Sequence, residues 1–194
     1  MNLILFEHKD EVSELSLSDA RAQHVLGVLK MGVGDSFYVG LVNGARGLAR
    51  ISVIGNEVLG LEVDWEEKVP ELHSLTILIG LPRPQSAKSI LREGASMGWE
   101  KIIFYRSDKG EPSYSDASLW SSSEWRSLLK LGAEQAFSTR LPEVLHCASL
   151  DEALDNTESL RGHRYALDIY ESATSLADVE VTLPSFLCVG SERG

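Results

Sequence analysis

Between residues 134 and 143 the chain reads Glu134-Gln135-Ala136-Phe137-Ser138-Thr139-Arg140-Leu141-Pro142-Glu143. An acid-amide pair is followed by two hydroxyls and an arginine, a dense set of side chains able to do chemistry. Arg140 keeps its charge at any physiological pH and presents a planar fork of donors, suited to a phosphate or to an oxyanion forming on a substrate base. A salt bridge to Glu134 or Glu143 would use the same residues for stability alone. A second constellation closes the sequence, where the apolar run Phe186-Leu187-Cys188-Val189 enters Gly190-Ser191-Glu192-Arg193-Gly194. A short buried strand leading into a small glycine-bearing turn is where open α/β sheets build ligand loops. Such a loop normally hands over to a helix that completes the pocket, so the sequence reads as cut through a cofactor site.

Two further loops are basic. Gly80-Leu81-Pro82-Arg83-Pro84-Gln85-Ser86-Ala87-Lys88 follows one apolar run, and Tyr105-Arg106-Ser107-Asp108-Lys109-Gly110-Glu111 follows the next. From Arg83 to Lys109 six basic residues face three acidic ones, a local balance of +3 in a chain whose net charge is −11. The overall charge excludes a generic nucleic-acid coat, which needs a positive face, and leaves room for a local RNA patch. Either loop could equally be a solvated connection. The five histidines are scattered and Cys147 and Cys188 lie far apart, so no metal site is expected and the thiols read as reduced packing residues of a cytoplasmic protein. No Walker-type or dinucleotide fingerprint is present, and no Ser/His/Asp or Cys/His set. No apolar run reaches the roughly 18 residues of a membrane span, and Met1–His8 lacks the basic start of a signal peptide.

The elements that must position these groups fall into two segments. Residues 1–70 read as mostly β, with strands at Leu3–Phe6, Ser36–Leu41, Leu48–Val53 and Val58–Val63, and a hairpin at Asn43-Gly44-Ala45-Arg46-Gly47. A brief helix after Ser18-Asp19 carries Ala22, Val25, Leu26 and Leu29. Several short strands with one small helix imply a little barrel. The charged stretch Asp64–Glu71, closed by Pro70, marks a boundary. Residues 71–194 alternate strand and helix: Leu75–Leu81, helix Ser86–Met97, Lys101–Tyr105, helix Ser121–Ala136, Val144–Cys147, helix Leu150–Leu154, Tyr165–Ile169 and Phe186–Val189. That alternation predicts a mostly parallel α/β sheet.

In this order the motifs resemble the SPOUT-class methyltransferases that make N3-methyluridine in 16S ribosomal RNA. The resemblance covers essentially the whole chain. It runs through His24-Val25-Leu26-Gly27-Val28-Leu29-Lys30 with Gly34-Asp35, Lys88 through Gly98, Tyr105-Arg106-Ser107, Glu134-Gln135 with Arg140-Leu141-Pro142-Glu143, and the terminal Val189–Gly194. It implies a PUA-like RNA-binding β-barrel over 1–70 and a SPOUT methyltransferase domain of the trefoil-knot type over 71–194, its knot region incomplete. Gly27 stands where the family usually has arginine, and Ser191 and Arg193 replace a proline and a glycine of the family's terminal loop. The family continues with a helix, a strand and a further segment that complete the S-adenosyl-L-methionine pocket and the dimer interface.

What the resemblance implies for function is S-adenosylmethionine-dependent methylation of uridine N3 in the small ribosomal subunit, by a homodimer in the complete protein. A chain ending at Gly194 is then expected to be inactive, with weak cofactor binding. Arg140 would contact the target phosphate or a base oxygen, and Glu134 would orient Arg140 or assist the proton transfer. Gly190, Glu192 and Gly194 would form the cofactor loop. His24, Lys30, Arg83, Lys88, Arg106 and Lys109 would hold RNA. The competing reading is a non-catalytic PUA-like RNA-binding protein, which leaves the residues around Arg140 and the terminal loop without a task.

Overall fold

The computed structural model describes residues 3–157, 161–168, 170–172 and 174–191. The chain forms two compact units, Met1–Glu71 with Ala133–Leu141, and Leu72–Gly132 with Pro142–Gly194. The second part of the first unit is the stretch that carries Glu134 and Arg140.

In the first unit, β1 (Ile4–Phe6), β2 (Glu14–Ser16), β3 (Ser36–Leu41), β4 (Arg46–Ile54) and β5 (Val58–Trp65) form one sheet in the order β1-β3-β4-β5-β2. β1 runs parallel to β3 and the remaining pairs are antiparallel. The sheet curls into a half-barrel with β1 and β2 at its edges, the form that the expected PUA-like barrel takes. Alternation puts Phe37 and Val39, Ala49 and Ile51, and Leu59 and Leu61 into the core with Ile4, Phe6 and Leu15. β2 escapes the sequence pattern because three residues with one buried side chain, Leu15, show no period. The brief helix is two pieces. α1 (Ala20–Gln23) starts at Asp19, whose Oδ1 accepts the Arg21 N–H at 2.8 Å. His24–Val28 then widens into a π turn, where the Leu29 N–H reaches the His24 carbonyl.

The second unit has the parallel α/β fold that the alternation predicts. Its strands are β6 (His73–Gly80), β7 (Trp99–Tyr105), β8 (Glu143–Cys147), β9 (His163–Leu167) and β10 (Ser185–Val189), all parallel, in the order β8-β7-β6-β10-β9. In chain order the strands step from β6 through β7 to β8 at one edge; the chain then crosses to β9 at the other edge and steps inward to β10 beside β6. α2 (Pro84–Ser96) opens with proline in its first turn, where the missing N–H costs nothing. The helix read as Ser121–Ala136 is α3 (Ser118–Ser121) and α4 (Glu124–Gln135). Ser122 is extended between them, and its Oγ accepts the Glu124 N–H. α5 spans Leu150–Asp155. Ile169, expected at the end of a strand, lies outside the described residues.

α2 and α4 meet at backbone contact. A Cβ on Gly132 would run into the Arg92 carbonyl oxygen, and Ser96 Oγ donates to the Gly132 carbonyl at 3.0 Å. Gly132→Ala therefore has to push two helices apart. We expect it to lower stability by about 1–3 kcal/mol in urea unfolding; an unchanged midpoint would show that α4 can shift freely.

Candidate functional site

Parallel pairing on both sides of β6 brings three strand ends together. Gly80 lies beside Tyr105 of β7, and Ile79 beside Val189 of β10. The turn after β10 packs directly on Gly80: a Cβ there would sit 2.5 Å from the Ser191 N and 3.0 Å from the Gly190 C. Only glycine lets the two backbones approach so closely. Tyr105 fixes the same turn from the other side. Its hydroxyl donates to the Val189 carbonyl at 3.2 Å and lies 3.8 Å from Cys188 Sγ, while Ser107 Oγ donates to Ser191 Oγ at 3.0 Å. Burial, then Cys188, push the Tyr105 hydroxyl's pKa up, so it stays protonated and keeps donating.

The turn after β10 thus covers the end of β6, and an open hollow lies beside it. An open cavity of about 870 Å³, most of its lining side chains exposed, lies at the carboxyl ends of β9 and β10, with a volume in the range of cofactor pockets. Leu167, Leu176 and Val189 give it an apolar side, and Asp168, Ser172 and Ser175 a polar one. Most of this wall comes from the connection between β9 and β10, which the sequence reading passed over. Its signal was Asp168 itself, placed inside the expected strand Tyr165–Ile169 although aspartate is a residue type that builds turns by accepting nearby backbone N–H groups; β9 in fact ends at Leu167.

Arg140 belongs to the first unit, on a turn held from both ends. Thr139 is fully buried, its Oγ1 donates to the Gly44 carbonyl at 2.5 Å, and its own carbonyl accepts the Asn43 N–H at 2.8 Å. Asn43 Oδ1 accepts the Leu141 N–H at 3.0 Å. The hairpin read at Asn43-Gly44 thus grips the residues on either side of Arg140. Phe137 takes a left-handed backbone (φ 59°), rare for a bulky side chain, and is held there by Tyr38 edge-on at 4.7 Å and the Arg46 guanidinium at 4.8 Å. The Arg140 Nε is buried and has no hydrogen-bond partner in the structure. Burying a guanidinium donor without an acceptor is costly, so the position suits an arriving anion.

The other residues singled out from the sequence are placed as follows. Glu134 is 8% exposed and its Oε1 accepts the Leu5 N–H at 3.0 Å, tying the end of α4 to the β1 strand. Arg83 and Arg106 are exposed on the loops after β6 and β7, adjacent strands, and Lys109 is exposed on the second loop. Lys88 sits in α2 with its ammonium 2.5 Å from Glu124. Lys30 is exposed in the first unit, and His24 begins the π turn with its Nε2 buried and unpartnered. Gly190 is in the turn on Gly80; Glu192 and Gly194 lie outside the described residues. Among the described residues no group of metal-ligating side chains is present, and no helix is long and apolar enough to cross a membrane.

The profile of the RNA methyltransferase domain family matches residues 70–194. The chain belongs to this family. A ribosomal RNA small subunit methyltransferase E from Treponema pallidum (strain Nichols) is 31% identical over 205 residues, covering all of this chain and 76% of the relative. A second, ribosomal RNA small subunit methyltransferase E 1 from Borreliella burgdorferi, is 29% identical over 194 residues, covering all of this chain and 82% of the relative. The fold is shared with a small subunit methyltransferase E of Neisseria gonorrhoeae, solved bound to S-adenosyl methionine, at TM-score 0.73 and 19% identity, over 100% of this chain and 81% of that one. It is also shared with a probable rRNA methyltransferase of Porphyromonas gingivalis, at TM-score 0.74 and 18% identity, over 99% and 80%.

The contact at Gly80 gives a direct check. Gly80→Ala should displace the Gly190–Ser191 backbone and break the Ser107–Ser191 bond, with a cost of about 1–3 kcal/mol. Proteolysis at the β10 end should accelerate. A variant as resistant as the parent would mean that the turn does not rest on Gly80.

Proposed function

We propose that this protein methylates uridine N3 in the 16S RNA of the small ribosomal subunit, with S-adenosylmethionine as methyl donor. The observation that carries the reading is the cavity at the carboxyl ends of β9 and β10, in a chain of the RNA methyltransferase family. The residues present fit the cofactor: the cavity has the volume, one apolar side and a polar rim with one carboxylate. Bound there, the cofactor supplies an electrophilic methyl group on a positively charged sulfur.

The chain's own part is orientation and charge. Uridine N3 becomes nucleophilic when its proton leaves, and negative charge then spreads to the uracil oxygens. Arg140, fixed between Thr139 and Leu141 and with an unspent buried donor, stabilises that charge or anchors the neighbouring phosphate. Glu134 serves Arg140 by fixing the stretch that carries it, through its bond to Leu5. Gly190, Glu192 and Gly194 are the residues we assign to cofactor binding. Arg83, Arg106 and Lys109, with His24 and Lys30 of the first unit, contact RNA. Lys88 contributes once it leaves Glu124. The family resemblance supports a cytoplasmic homodimer as the working form.

The test uses the full-length natural protein, labelled S-adenosylmethionine, and small subunits from cells lacking the gene. Nucleoside mass spectrometry should find N3-methyluridine. Arg140→Ala should lower the rate by roughly 10²–10³-fold, and Arg140→Lys should restore only part of it, lacking the planar fork. RNA binding without methyl transfer would favour the non-catalytic binding protein instead. Replacing Arg83, Arg106 and Lys109 with alanine should flatten the salt dependence of RNA binding, since fewer counterions are released. An unchanged salt slope would move the RNA surface elsewhere.

A further inference from the structure

Among the described residues, the β9–β10 cavity has two charged lining side chains, Arg164 and Asp168. They are differently placed. The Arg164 guanidinium is engaged elsewhere, donating to the Thr157 carbonyl at 3.3 Å and lying 5.8 Å over the Phe186 ring. Asp168 stands at the end of β9 with a single oxygen committed. Its Oδ1 accepts the N–H of Tyr170 at 2.6 Å and of Glu171 at 2.7 Å. Two backbone donors on one oxygen orient the carboxylate and leave Oδ2 outside that clamp. These donors, Glu171 first and then Tyr170, hold its pKa below the usual carboxylate value, so the group is charged at any physiological pH. The rest of the wall is apolar (Leu167, Leu176, Val189) or neutral hydroxyl (Ser172, Ser175).

A methyl donor of the class proposed above changes charge during the reaction. It enters as a sulfonium and leaves as a neutral thioether, while its amino-acid tail and adenosine are the same in both. A fixed negative group in the pocket wall therefore binds the entering form more strongly than the product. Resting on the functional reading above, we propose that Asp168 is a specificity-determining residue that discriminates the cationic sulfonium cofactor from its neutral thioether product. The consequence is easier product release, since the attraction disappears with the transferred methyl. Tyr170 and Glu171 act through their backbone: they set the carboxylate in place.

The experiment is calorimetric titration of the full-length natural protein with three ligands: S-adenosylmethionine, S-adenosylhomocysteine, and sinefungin, which carries an ammonium-bearing carbon in place of the sulfonium. The variants are Asp168→Asn, which keeps the shape and the Oδ1 acceptor, and Asp168→Ala, which removes both. In Asp168→Asn, affinity for S-adenosylmethionine and sinefungin should fall roughly two- to fivefold, the range of an ion pair at a solvated surface. S-adenosylhomocysteine should change by less than about twofold on the same argument that a neutral ligand feels no such pair. Asp168→Ala should in addition weaken all three, because the turn loses its clamp. Equal losses for all three ligands in Asp168→Asn, or no loss, would overturn the proposal and leave the functional reading standing. A parent protein that binds none of the three would overturn both.

Discussion

Everything at the candidate site depends on β6 being paired in parallel on both flanks. That pairing brings the ends of β6, β7 and β10 to one edge, and with them Gly80, Tyr105 and Val189. Because Gly80 has no side chain, the turn after β10 settles onto the backbone of β6, and Tyr105 and Ser107 then fasten it with hydroxyl bonds. The turn so placed covers the end of β6. The open space lies one strand over, in the cavity between the ends of β9 and β10 that we propose for the methyl donor. A larger residue at position 80 would undo this sequence of consequences at its first step.

The turn that carries Arg140 follows a different logic. Its neighbours are satisfied and the Nε of Arg140 is not. Thr139 and Leu141 are each bonded to the Asn43-Gly44 hairpin, Glu134 is bonded to Leu5, and Phe137 is held in an unfavourable backbone conformation by Tyr38 and Arg46. Against that, the Arg140 Nε is buried and unpaired. A folded chain tolerates an unpaired buried donor where the surrounding contacts over-determine its position. Rigidity around one unspent donor is what charge stabilisation in a transition state needs.

The fold class was legible in the sequence because its signals are local. Apolar runs such as Leu75–Leu81 are the length of buried strands, and the Asn43-Gly44 hairpin is encoded in two residues. The break at Ser122 was hidden, since a serine there is compatible with helix until its hydroxyl is seen accepting the Glu124 N–H. β2 was too short to show a period. The partner of Glu134 could not be read at all: Leu5 is 129 positions away and offers only a backbone N–H, which every residue has. The same holds for the cavity. Its polar rim comes from Asp168 and the hydroxyls that follow, residue types that describe any surface loop until β9 is known to pair with β10.

The central claim is that the cavity beside the Gly190–Ser191 turn receives the methyl donor. The most direct measurement is a crystal structure of the full-length natural protein grown with S-adenosylmethionine. The cofactor is expected between the ends of β9 and β10, against Leu167, Asp168, Leu176 and Val189. Cofactor density anywhere else on the protein, with that cavity holding only solvent, would contradict it.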